Sequence, residues 1–90
     1  MSIEADHQRQ LRGMVDAAQR AAGVLAARHR GDADGVRTLM TSFHDEAALA
    51  GGALLLADLA LGMLRERSGQ SMDECVQHLS VHLENVASGD

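Results

Sequence analysis

Between Ala47 and Leu64 the chain carries one charge, Asp58, and seven leucines, at 49, 54, 55, 56, 59, 61 and 64. Spaced at about 100° per helical residue, those leucines point in nearly every direction, so this helix has no polar side and must be surrounded. One narrow lane, Gly51, Asp58 and Gly62 with Leu55 beside it, lacks continuous bulk. A chain of 90 residues has few other long helices to offer as cover, because short chains bury a smaller share of their surface. A second copy is expected to supply the rest, which makes Gly51, Leu54, Leu55, Asp58, Leu61 and Gly62 the expected homodimer interface. Glycine inside a helix costs about 1 kcal/mol relative to alanine. Gly51 and Gly62 therefore read as points of close backbone approach, or else as drift on an exposed lane.

A membrane span competes with that reading, since a span needs about 20 predominantly apolar residues. Asp58 at the centre, dilution by Ala and Gly, and the lack of flanking aromatic residues all count against it. The expectation is a soluble protein with no membrane partner.

Punctuation along the chain places the other helices. Arg28, His29 and Arg30 followed by Gly31 put cations in a last helical turn and a glycine just beyond it, which is how a helix ends. Arg65, Glu66, Arg67, Ser68 and Gly69 repeat the ending, and Ser71 with Glu74 forms a capping-box pattern. Asp32 can cap a short helix, and Ser42 with Asp45 and Glu46 can start the next. The spacing predicts helices at about 3–29, 33–41, 44–68 and 72–87, with a single bent helix over 32–68 as the alternative. Leu11, Met14, Ala18, Ala22 and Leu25 form the apolar stripe of the first helix, and Met72, Val76, Leu79, Leu83 and Val86 that of the last. With 15 Ala, 12 Leu and no proline, propensity agrees. The expected fold is all-α, a small bundle of three long helices and one short one in a single domain over 1–90, paired as a dimer.

Charge and cysteine content narrow the setting. Eight arginines and no lysine face 13 carboxylates, a net charge of −5, and such a field repels phosphate backbones and anionic lipid. Residues 46–90 hold seven of those carboxylates and two arginines. A lone Cys75 has no intrachain disulfide partner, and Met1–Asp6 is polar with no apolar signal core, so a reducing cytoplasm is expected.

The strongest cluster of reactive side chains is Glu74, Cys75, His78 and His82, at spacings that share one side of the last helix. A histidine pair at i, i+4 can chelate zinc or copper with Cys75 or Glu74 as third ligand. The competing reading is a buried inert thiol with surface histidines, since no CxxC or HExxH supports a site. Asp32-Ala33-Asp34-Gly35 begins like a calcium loop but has Gly at the fourth position and Phe43 at the twelfth, where an EF-hand needs Gly at the sixth and Glu at the twelfth. His7 and His29 project on the apolar face of the first helix, while His44, Asp45 and Glu46 diverge around an axis and form no relay. Arg9, Arg12, Arg20 and Arg30 cluster, but Asp16 lies four residues from both Arg12 and Arg20, so intrahelical pairing is expected rather than a nucleic-acid patch. No cofactor motif and no catalytic constellation emerges, and one aromatic residue makes no base-stacking platform.

The run Gly31-Asp-Ala-Asp-Gly-Val-Arg-Thr-Leu-Met, then an alanine and leucine helix, then Arg67-Ser-Gly-Gln-Ser-Met-Asp-Glu-Cys-Val-Gln-His-Leu, resembles small helical proteins of high-GC actinobacteria and their phages. The resemblance covers about residues 20–86 and implies no ligand or reaction. The expected function is a non-enzymatic, cytoplasmic protein-interaction or regulatory module that binds itself and another protein, such as a host-directed effector or inhibitor. The alternative is a metal-responsive regulator built on Cys75, His78 and His82.

Overall fold

A computed structural model of the chain describes residues 3–89, leaving Met1, Ser2 and Asp90 outside. It is all-helical: α1 (Ile3–Arg30), α2 (Ala33–Met40), α3 (Glu46–Ser68) and α4 (Met72–Ala87), with no strand among the described residues. Residues 32–68 are two helices rather than one bent one. The chain divides into two compact units, Met1–Ala57 and Asp58–Asp90, with the division falling inside α3.

Helix ends follow from local chemistry. Gly31 takes φ +74°, and its N–H donates to the Arg28 carbonyl while that of Asp32 donates to Ala27. A left-handed residue there frees the chain to fold back and satisfies carbonyls the helix leaves open. Asp32 then caps α2, its Oδ1 accepting from the Gly35 N–H at 2.9 Å. Gly69, at φ +71°, ends α3 in the same way, with its N–H on the Arg65 carbonyl. Helix α3 begins at Glu46, two residues later than its sequence suggests. The cap is Asp45, whose Oδ1 accepts from the Ala48 N–H at 2.7 Å, whereas the Ser42 hydroxyl turns back to the Leu39 carbonyl at 2.6 Å.

In the first unit the core is a seam of small side chains on α1: Ala17, Ala18, Ala21, Val24 and Ala27 are buried. This face shares Ala18 with the expected stripe but is centred roughly a quarter turn from Leu11, Met14 and Leu25, which sit at the margin about half exposed. The physical reason is clearance. Leu39 of α2 reaches α1 at Gly23, where a Cβ would stand 3.2 Å from its Cδ1. At Gly52 of α3 a Cβ would stand 2.6 Å from the Ala17 carbonyl carbon and 2.7 Å from its oxygen. That spacing leaves room for the methyl of Ala17 and none for a side chain on Gly52.

In the second unit, the last residues of α3 lead through Gly69 into α4. Ser71 caps α4: its Oγ accepts from the Glu74 N–H at 3.1 Å, and the Ser71 N–H donates to Glu74 Oε1 at 3.0 Å. This reciprocal pair satisfies two donors that a helix start leaves open. Cys75, one turn in, is fully buried.

Candidate interaction surface

Helix α3 leaves Leu54, Leu59, Met63 and Leu64 exposed. It is long and apolar enough to cross a membrane, and only 6% of its most apolar 18-residue stretch is buried. Within the first unit, Ala48, Leu49, Gly51, Leu55 and Leu56 are half-buried and Gly52 is buried, all on one side of the helix. Leu54, beside that packed side, is 71% exposed. A groove of about 980 Å³ opens where α1 and α3 meet, floored by Gly13, Met14, Ala17, Ala48, Gly51 and Gly52.

Within the second unit, Asp58 is exposed and Leu61 and Gly62 are half-buried. Nothing lies within 4 Å of where a Cβ would stand on Gly51 or on Gly62. Within the chain the close backbone approach is at Gly52, a glycine the sequence reading did not single out, while no part of the chain itself closes on Gly51 or Gly62. Adjacent glycines differ by about 100° around the axis, and only the side facing Ala17 is pressed by a neighbouring backbone.

On α4, Glu74, Cys75 and His78 each make a local contact. Glu74 is held in the cap, and its carboxyl lies below the usual carboxylate range because the Ser71 N–H and hydroxyl bond to it, with His78 nearby adding in the same direction. The buried Cys75 Sγ lies 3.8 Å from Gln70 Oε1, and Gln70 Nε2 lies 3.2 Å from His78 Nδ1. His82 is exposed. Among the described residues no group of three or more His, Cys, Asp or Glu side chains is placed to hold a metal ion. Gln70, which bridges thiol and imidazole, is the participant that spacing arguments about ligands overlook, because an amide is not a ligand type they look for.

Two arginines of α1 pair along their own helix, and Arg30 lies 3.9 Å from Asp32 just beyond it. Arg12 reaches Asp16 through Nε at 3.3 Å and Nη2 at 3.2 Å, and Arg9 lies 3.9 Å from Asp6. Arg37 pairs with Asp34 at 2.6 Å, so both aspartates of the calcium-like run serve α2, Asp32 as its cap. His7 and His29 are exposed rather than set in the buried face of α1, because that face is the alanine seam. Comparison with protein-family models, with characterised proteins and with solved structures finds no match to this chain.

Proposed function

We propose that this protein is a small, non-enzymatic interaction or regulatory module of the cytoplasm that works as a homodimer, with α3 as the shared surface. One observation carries the reading: a helix apolar on every side has 6% of its central stretch buried. Exposed apolar patches beyond several hundred Å² are uncommon on monomers and mark contact surfaces. The lane of Gly51, Leu54, Leu55, Asp58, Leu61 and Gly62 is where a second helix would lie, since the open space at both glycines lets a neighbouring backbone come close. A two-fold pairing would place the same patch on both subunits. The resemblance to actinobacterial and phage proteins fits a host-directed effector or inhibitor of this class.

Light scattering across a concentration series tests the proposal. A mass near twice 9.6 kDa is expected, and a mass near 9.6 kDa at the highest concentration would overturn it.

A bilayer is the second reading, favoured by the length and apolarity of α3. Two features weigh against it. Asp58 lies mid-helix, and the contact of Gly52 with Ala17 ties α3 to a helix bearing Arg9 and Arg12. Flotation with phosphatidylcholine vesicles separates the two: protein that rises with the vesicles and is monomeric in their absence favours the bilayer.

A further inference from the structure

We propose that α4 is a docking surface for a basic amphipathic helix of a partner protein. Val76, Leu79, Leu83 and Val86 fall within an arc of about 80° on α4, and their exposures are 45%, 44%, 58% and 75%. Together they make a straight apolar strip about 15 Å long, the length over which one helix can lie on another.

Charge selects the occupant. Asp73 and Glu84 border the strip on one side, with Ser80 between them, and the Ser80 hydroxyl is turned to the Val76 carbonyl at 2.9 Å. Gln77 shares that flank, whose charged side chains are both carboxylates. His78 and His82 border the other side, and from Ser68 to the end of the sequence there is no lysine or arginine. A second copy of α4 would bring more carboxylates and no cation to balance them, and an anionic lipid surface would be repelled. A helix with a leucine stripe flanked by Lys or Arg covers the apolar strip and neutralises its acidic border. The inference concerns α4 alone and does not depend on α3 forming a dimer.

The test uses the full-length protein and a fluorescent 18-residue peptide with leucines at i, i+3, i+4 and i+7 and lysines beside them, read by anisotropy. Saturable binding is expected, weakened at least tenfold by Leu83→Ser or by Val86→Ser, the latter at a site too exposed to disturb the fold. Replacing both Asp73→Asn and Glu84→Gln should weaken it three- to tenfold and flatten its salt dependence. Leu54→Arg on α3 should leave peptide affinity unchanged whatever it does to the oligomeric state. The proposal is overturned if a scrambled peptide of equal charge, or one with glutamates in place of lysines, binds as tightly. It is equally overturned if Leu83→Ser and Val86→Ser bind like the parent, or if Leu54→Arg alone abolishes binding.

Discussion

Gly52 lies so close to the backbone of Ala17 that a methyl group on it would stand 2.6 Å from the Ala17 carbonyl carbon. Since the obstacle is main chain and not a side chain that can swing away, Gly52→Ala should destabilise the protein by about 1–3 kcal/mol. Gly13→Ala, on α1 where nothing lies within 4 Å, should instead stabilise it by up to about 1 kcal/mol through helix propensity. Urea melts of the two variants beside the parent check both signs at once.

The lane on α3 makes an opposite demand on a different glycine. Gly62 has open space around it, so Gly62→Leu should leave each subunit folded while keeping a second helix at a distance. Leu54→Arg places a charge at a side chain that is 71% exposed and should act likewise. Both should weaken dimerisation at least tenfold in sedimentation equilibrium while leaving the helical circular dichroism of the subunit intact. Leu55 is a poorer probe, because it is half-buried inside the first unit and a charge there would disturb the fold as well.

The helix boundaries were legible in the sequence because their causes are local. Gly31 and Gly69, and the pair Ser71 and Glu74, act within four residues of the ends they define, and all three ends stand where the residues place them. The start of α3 was less so, since Ser42 and Asp45 are both competent caps and the choice between them depends on the Ser42 hydroxyl finding the Leu39 carbonyl. The packed side of α1 was legible only in part. The stripe of Leu11, Met14, Ala18, Ala22 and Leu25 contains the buried Ala18, but it follows bulk, whereas the buried seam runs on through Ala17, Ala21, Val24 and Ala27 and leaves Leu11, Met14 and Leu25 about half exposed. The contact of Gly52 was not legible either, for it rests on Ala17, thirty-five residues away in the chain.

At the start of α4, Ser71→Ala removes the hydroxyl that accepts from the Glu74 N–H and should cost about 1 kcal/mol. Glu74 adds a pH dependence. Its carboxyl is held below the ordinary value near 4.5, so the ionised form favours the folded state. That contribution is present above the unfolded-state value and is lost as pH falls from about 4.5 through the lower folded value. Urea melts between pH 3 and 6 should show a smaller loss of stability on acidification for Glu74→Gln than for the parent.

Cys75 is fully buried with its sulfur beside Gln70 Oε1, so its native thiol should react with a disulfide reagent at least a hundredfold more slowly than in denaturant. Adding zinc, copper or nickel to untagged protein should leave the melting temperature unchanged. A rise that disappears in Cys75→Ser would support the metal-responsive reading.

Ala17, Ala18, Ala21, Val24 and Ala27 give the buried half of α1 low relief. Helices that interlock through leucines are held in axial register by knobs seated in sockets, and methyl groups supply shallow knobs. Gly52 against Ala17 fixes where the start of α3 can sit on α1. Register in the first unit thus rests more on one missing side chain than on the bulk of any present one.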